Sequence, residues 1–403
     1  MRALPLCFGL LAAFAVPLAA QGGGDKAPRR PELPGGADTC NAYAYYQLGL
    51  SRLRGDPEQA AAAFYWTRRL SLDAAVAYYA ERVARLLADP GLLKGYFEED
   101  RRTLQSAEVQ RIDSLEIRAL AIDPFFPRQL DELLIVTYYT NLIHDEYRQH
   151  GEEISPLDIQ YYVQTELRSL GPETSAWLAF GRGQYRMAAD TWAGAVRHRR
   201  KDAHLRVWLA RALFLLGQLD SARVELDSAL ATARRSDAER MKYVYDSKVI
   251  WQYEVGRIEE LQGRDSAARE AYQQALVEDL SFHPAHVRLA YIAMRAVDTT
   301  TAVSELQRAL EIRENDFGAH QLLGTVLAAR RDTAKAAEHL RRAAEIEPWV
   351  PQPHLVLGDA LRAAGDRDGA VTEYRRFLAL AARSNGDAGA VRERLAALGS
   401  PAP

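Results

Sequence analysis

The chain has 403 residues, with 51 basic and 54 acidic side chains and a formal charge of -3. That near balance provides no general attraction to nucleic acid or to an anionic lipid surface. Hydrophobic residues at 48% and charged residues at 26% are ordinary globular composition, and the length fits two or three ordinary domains or one solenoid grown by repetition.

Residues 1–20 differ from the rest. Arg2 precedes an apolar run from Leu4 to Leu18, and Ala19-Ala20-Gln21 supplies small residues for cleavage. This reads as a secretory signal peptide, with a run too short for a comfortable membrane span; an uncleaved anchor is the alternative. No later stretch approaches about eighteen consecutive apolar residues, so no membrane span is expected after signal cleavage. Cys7 would leave with the signal. A lone Cys40 cannot form an internal disulfide, so packing must hold the fold. Neither cysteine suits lipidation, since only six residues precede Cys7 and no apolar segment precedes Cys40.

Residues 21–40 contain Pro28, Arg29-Arg30-Pro31 and Pro34-Gly35-Gly36. Gly, Pro and charge at this density predict a flexible linker, because little apolar surface is available to offset chain entropy. From Asn41 the pattern becomes helical. Gly55-Asp56-Pro57 breaks the first helix and places Pro57 in the first turn of the next. Ala77-Tyr78-Tyr79 recurs 33 residues after Ala44-Tyr45-Tyr46, so residues 41–168 read as degenerate helical repeats. Residues 90–170 are helical but poorly periodic, punctuated by Asp123-Pro124, Ser155-Pro156 and Gly171-Pro172.

A clean register begins near Ser169 and defines an array over 169–384. Ala188, Trp192 and Ala195 align with Ala222, Leu226 and Ala229, 34 residues on. Ala268, Ala302, Ala336 and Ala370 continue at the same spacing, after a 12-residue insertion near 236–246 that lengthens two adjacent helices. Twelve residues before each of these four alanines stand Gly256, Ala290, Gly324 and Gly358; four after come Tyr272, Leu306, Leu340 and Tyr374; seven after come Ala275, Ala309, Ala343 and Phe377. Two helices of about a dozen residues and two short turns fill such a period. Alanine belongs where the helices cross, glycine or alanine gives the same clearance from the first helix, and Tyr or Leu fills the gap to the next repeat. Asp265-Ser266, Asp298-Thr299 and Asp332-Thr333 precede second helices, where a short oxygen-bearing side chain caps free amides. Pro348 stands where a helix must end. Residues 385–403 hold a polar-faced capping helix, Ala388 to Leu398, and a tail.

These residues resemble the tetratricopeptide repeat (TPR) family, best in 317–350, nearly as well in 249–282, 283–316 and 351–384, recognisably in 169–202 and 203–236, and weakly in 42–75. The resemblance implies an all-α fold, a right-handed superhelical solenoid of antiparallel helix pairs. It also implies a concave groove lined by first helices at the second, fifth, ninth and twelfth repeat positions. Carried onto this chain, those positions give Tyr253, Arg257 and Glu260, then Val287, Tyr291 and Met294, then Gln321 and Thr325, then Leu355, Asp359 and Arg362. Val207, Arg211 and Phe214 extend the face. Aromatic, Met and Arg side chains are the types enriched at interfaces, although Tyr291 and Met294 could equally pack the inner layer. The Lys and Asn clamp that some family members use to hold a partner's carboxyl terminus is missing, because Tyr253, Glu254 and Arg257, or Val287, Arg288 and Tyr291, stand in its places.

Other chemistry-bearing residues weigh less. His286, His320 and His354 share one position of three consecutive repeats, which suggests a ladder for metal or protons. Equivalent helices lie about 10 Å apart, so the side chains should not converge, and local bonding is the simpler expectation. His144-Asp145-Glu146-Tyr147-Arg148-Gln149-His150 spaces its histidines six apart, against the four that a zinc-protease helix requires. Gly181-Arg182-Gly183 marks a turn where Gly217 and Gly263 recur. His198-Arg199-Arg200-Lys201 reads as a solvated turn. Tyr45-Tyr46, Tyr78-Tyr79, Tyr138-Tyr139 and Tyr161-Tyr162 are each expected to turn one ring inward and the other elsewhere on the helix. No Ser/His/Asp set or phosphate loop is present.

The sequence thus predicts an exported, non-catalytic scaffold of a bacterial cell envelope or periplasm that binds a protein or peptide in its groove, without cofactor, metal or nucleic acid. The alternatives are a glycan- or peptidoglycan-binding module using the tyrosines, and an envelope enzyme with its site in 90–170 and the repeats as recognition arm. Oligomeric state is not encoded in any motif found.

Overall fold

Over residues 27–71, 74–98, 100–169, 171–240 and 248–400, which the computed structural model describes, every regular element is a helix. The expected signal peptide 1–20, and residues 241–246 of the expected insertion, lie outside the described residues. The helices run in order α1 (Ala42–Arg52), α2 (Pro57–Leu70), α3 (Ala75–Ala88), α4 (Pro90–Phe97), α5 (Arg101–Leu104), α6 (Ala107–Ile122) and α7 (Asp131–Gln149). Then follow α8 (Pro156–Ser169), α9 (Pro172–Gly181), α10 (Tyr185–His198), α11 (Ala203–Leu215), α12 (Leu219–Arg240), α13 (Val249–Leu261) and α14 (Asp265–Glu278). The series closes with α15 (His283–Arg295), α16 (Thr299–Ile312), α17 (Phe317–Ala329), α18 (Thr333–Ile346), α19 (Gln352–Ala363), α20 (Arg367–Leu380) and α21 (Ala388–Ala397). They group into two compact units. One holds residues 51–62 and 75–264, the other 27–50, 63–74 and 265–400.

Sequence neighbours pack as pairs, α9 on α10 and α11 on α12 in the first unit, α15 on α16, α17 on α18 and α19 on α20 in the second. The repeating alanines Ala268, Ala302, Ala336 and Ala370 are completely buried, as are Tyr272, Leu306, Leu340 and Tyr374. A Cβ on Gly358 would lie 2.7 Å from the Tyr374 ring, and one on Gly324 2.6 Å from Leu340. The large residue therefore fills the hollow left by the glycine of its own repeat. Leu340 shares one buried cluster with Leu355 and Leu357 of the following helix. The weak first repeat follows the same rule, with Gly49 of α1 against the Phe64 ring of α2.

Turns between paired helices share one backbone device. Gly183, Gly217, Gly263, Val297, Arg331 and Gly365 all adopt positive φ. In each case the next amide bonds back to the carbonyl five residues earlier, for example Gln218 to Leu213 and Asp366 to Leu361, which is the Schellman closure of a helix end. Glycine suits this left-handed position; a β-branched side chain is strained there by about 1–2 kcal/mol. Val297 is 82% exposed and makes no compensating burial. Val297→Gly is expected to raise stability by up to about 1 kcal/mol, since the relief exceeds the added chain entropy of glycine. A urea midpoint that stays or falls would show that the turn is not strained.

Asp298, Asp332 and Asp366 cap the second helices of their repeats, accepting from Thr301, Lys335 and Gly369 amides. Asp265 differs. It is the first residue of α14 and accepts from Arg295 Nη2 at 2.7 Å.

Residues 27–40 of the stretch read as a linker make defined contacts inside the second unit. The Arg30 guanidinium lies over the Trp66 ring at 4.7 Å and near those of Tyr45 and Trp349. Trp66 Nε1 donates to the Pro28 carbonyl at 3.1 Å, and Asp38 accepts from the Arg383 amide at 2.6 Å. A segment poor in apolar residues is held here by stacking its cation on three rings, a contribution that composition alone does not register. α21 buries Val391 and Leu395 against the last pair and leaves its other side polar.

Candidate partner-binding face

The groove positions in the first unit are occupied by the chain's own side chains. Val207 and Arg211 on α11 are buried, and Phe214 stacks flat on Phe125 with ring centres 3.7 Å apart. Tyr253 on α13 is 1% exposed and donates its hydroxyl to the Ala121 carbonyl at 2.6 Å. The connection from α6 to α7 therefore lies on this face, with Phe125 and Arg128 pressed against it. Asp123-Pro124-Phe125-Phe126-Pro127 carried the signal, because two prolines around two aromatics make a rigid apolar loop that needs a surface. Arg257 and Glu260 are mostly buried and face one another at 3.8 Å.

Arg128 also belongs to a buried ionic network in this unit. Glu116 accepts a hydrogen bond from Arg128 on one oxygen, and its other oxygen lies 2.8 Å from Arg82 Nε as an ion pair. Arg128 Nε reaches Asp131 at 3.0 Å, and Tyr79 donates to Asp131 at 2.5 Å. Arg211 donates to Glu254 at 2.8 Å. Burial alone would raise the Glu116 pKa, but Arg128 and Arg82 outweigh it and hold the carboxyl at about 2. Both of its oxygens are engaged, so it stays an ion-pair partner and not a proton acceptor. Asp113, close by, is raised to about 6 by burial, opposed by Arg82 and reinforced by Glu116.

A carboxyl raised in the folded state binds protons more tightly there than in the unfolded chain, so its charged form weakens the fold. Asp113→Asn is accordingly expected to stabilise the protein above about pH 6, with the gain shrinking as pH falls from about 6 towards the unfolded value near 3.9. Urea titrations at several pH values check this; a gain that does not change with pH would contradict it.

The second unit leaves its corresponding positions more accessible. Tyr291 on α15 is 37% exposed, and Arg288 lies over its ring at 4.9 Å. Val287, Met294, Gln321 and Thr325 are half-buried, with Thr325 donating back to the Gln321 carbonyl. Leu355 is core. Asp359 accepts from Tyr374 at 2.6 Å and from Arg394 at 3.1 Å, while Arg362 donates to the same Tyr374 hydroxyl. Burial and the adjoining Asp359 carboxylate push Tyr374 up to about 12, so it remains a donor at neutral pH.

The repeating histidines bond within their own repeats and do not converge. His286 Nδ1 lies 2.7 Å from Glu305 and His354 Nδ1 2.6 Å from Glu373. His320 Nδ1 instead meets His339 Nδ1 at 3.0 Å. Among the described residues no three His, Cys, Asp or Glu side chains are grouped as metal ligands would be. His144 and Asp145 lie on the rim of a cleft of about 320 Å³, together with Lys94, Tyr138, Asn141 and Arg148. Charges of both signs line it. Arg199 of the basic run pairs with Glu173 and Asp202 at an exposed turn.

Three of the four tyrosine pairs depart from the expected one-in, one-out pattern, while in the fourth Tyr45 is completely buried and Tyr46 half-buried. Both members of Tyr78-Tyr79 and of Tyr138-Tyr139 are buried, whereas Tyr161 and Tyr162 on α8 are 67% and 42% exposed. Adjacent helical side chains stand about 100° apart, so α3 and α7, each packed against several helices, bury both. α8 contacts only its chain neighbours among the stronger helix contacts and leaves both outside.

No helix among the described residues is long and apolar enough to cross a membrane. Residues 179–243 match the family described as "Tetratricopeptide repeat". Solved structures similar to this chain include YrrB, described as a TPR protein with an unusual peptide-binding site, at 19% identity over 52% of this chain and all of that one, with a TM-score of 0.41. PilF of Pseudomonas aeruginosa is similar at 15% identity, covering 55% of this chain and 96% of its own, with a TM-score of 0.44. Yeast Tom70 is similar at 13% identity over 89% of each chain, with a TM-score of 0.42. No curated protein matches by sequence.

Proposed function

We propose that this chain, of which residues 179–243 match the tetratricopeptide-repeat family, is a repeat scaffold that binds a protein or peptide partner in the bacterial cell envelope, without catalysing a reaction. The site in this reading is the first-helix face of the second unit. The observation that carries it is the contrast between corresponding positions. Val207, Tyr253 and Phe214 are taken up by internal contacts, while Tyr291, Met294, Gln321, Thr325 and Arg362 retain accessible surface. An exposed tyrosine under an arginine, beside a flexible methionine, is the side-chain mixture that anchors interfaces. The N-terminal run from Leu4 to Leu18 supports export.

The test is affinity capture from an envelope extract with the mature full chain as bait, followed by mass spectrometry, in parallel with Tyr291→Ala and Met294→Ala. Hot-spot truncation should reduce partner recovery by at least about tenfold, corresponding to about 1.4 kcal/mol. Equal recovery on all baits would remove this face from the reading. The exposed Tyr161 and Tyr162 favour one second reading, stacking on a glycan. Sedimentation with purified peptidoglycan, lost in Tyr161→Ala, would support that reading and displace the first.

A further inference from the structure

The three equivalent histidines sit in a repeating three-residue arrangement, and its middle copy is altered. His286 meets Glu305, which also receives Arg308 at 2.7 Å. His354 meets Glu373, which also receives Arg376 at 3.0 Å. The offsets are identical, nineteen residues from histidine to carboxylate and three more to arginine. In the repeat between them the corresponding residues are His320, His339 and Arg342. The carboxylate is replaced by a second imidazole, and Arg342 turns away to Asn315 at 2.6 Å and Glu345 at 2.9 Å.

We propose that the His320–His339 contact is a proton-sensitive joint between α17 and α18, stable while at least one of the two rings is neutral and weakened when both are protonated. His320 Nε2 lies 2.9 Å from the Glu314 carbonyl. A carbonyl only accepts, so that nitrogen carries the proton, and in a neutral ring Nδ1 is then a bare acceptor. His339 Nδ1–H donates into it across 3.0 Å. One further proton on either ring still leaves a single hydrogen between the facing nitrogens and keeps the bond; a proton on each ring puts hydrogens on both nitrogens and sets two cations against each other. The flanking repeats escape this conflict because the group facing His286 or His354 is a carboxylate, Glu305 or Glu373.

Charged and titratable groups lie on the elements packed with the pair. Glu338 on α18 favours a charged His339. Arg313 and Asp316 stand in the turn before α17, with His283 of α15 3.6 Å from Asp316. Arg342 is one turn beyond His339 on α18. Burial, then the facing His320, outweigh Glu338 and hold the His339 pKa below its ordinary 6.5. The unfolded chain therefore binds this proton more readily than the folded one. Stability contributed by the joint is present above about pH 6.5 and is lost as pH falls below it.

The experiment compares melting of the full chain with His339→Glu, which restores the carboxylate of positions 305 and 373, and with His339→Gln, which cannot titrate. Between pH 7.5 and 5.0 the Tm of the parent should fall by about 2–4 °C more than that of either variant. Side-chain NMR of the parent should show His339 titrating below 6.5. Parallel pH profiles for all three proteins, or a His339 midpoint at or above 6.5, would overturn the proposal. So would a zinc-induced rise in Tm at neutral pH that both variants lack, since the pair would then be a metal chelate. The NMR arm decides the question if the variants fail to fold.

Discussion

Arg128→Met is expected to destabilise the unit that holds residues 51–62 and 75–264 by about 3–5 kcal/mol, the cost of stranding buried carboxylates when one ion-pair partner is removed. Arg128 is 6% exposed and serves both Glu116 and Asp131, while its guanidinium lies over the Trp208 ring at 5.5 Å. Methionine fills part of the volume but leaves Glu116 to Arg82 and Asp131 to Tyr79. Arg128→Lys keeps the charge without the planar fork and should recover only part of the loss. The change also alters acid sensitivity. Because the folded Glu116 is held at about 2, its contribution is complete above its unfolded value near 4.5 and disappears as pH falls through about 2. Without Arg128 that acid-dependent slope should flatten. A urea midpoint lowered by less than about 1 kcal/mol equivalent would mean that apolar packing, not the network, holds the α6–α7 connection in place.

Gly358→Ala should cost about 1–3 kcal/mol, the usual penalty of forcing extra volume into a packed contact. Its new methyl would stand 2.7 Å from two ring carbons of Tyr374, whose hydroxyl is fixed by Asp359 and Arg362. The ring therefore cannot swing away without breaking those bonds. The repeat at 283–316 shows the compatible alternative, Ala290 with Leu306, both completely buried. Adding Tyr374→Leu to Gly358→Ala should thus give a double variant more stable than the sum of the single losses by at least about 0.5 kcal/mol. Additive losses would mean that the two residues do not compete for the same space. Chemical denaturation of the four proteins in the cycle reads this directly.

The repeat register was legible because it depends on near neighbours. Alanine, glycine and large residue recur every 34 positions, and each meets its counterpart one helix away. The turns were equally plain at Gly183, Gly217 and Gly263, and hidden at Val297 and Arg331, where side chains with no preference for positive φ occupy the same position. The groove was legible only as a list of positions. Local periodicity places Tyr253 and Tyr291 on the same face at different positions of their repeats, and nothing in it tells that one is sealed by the Ala121 carbonyl and the other is open. The partner of Tyr253 lies 132 residues away in the irregular segment, where no repeat relates the two.

The histidines divide along the same line. Their spacing was visible at once, and so was the improbability of convergence. The partners Glu305, His339 and Glu373 also repeat in sequence, but only the packing of paired helices identified them as partners. By itself, then, the sequence determined the helix pairs, their crossing residues and their capping, since these are short-range consequences of side-chain volume and hydrogen-bonding capacity. Tertiary structure alone decided which groove positions stay open, which arginines are buried with carboxylates, and how Arg30 joins Trp66 and Trp349. Those contacts join residues far apart in the chain, and their energy comes from desolvation and ring geometry, which the linear order of residues does not record.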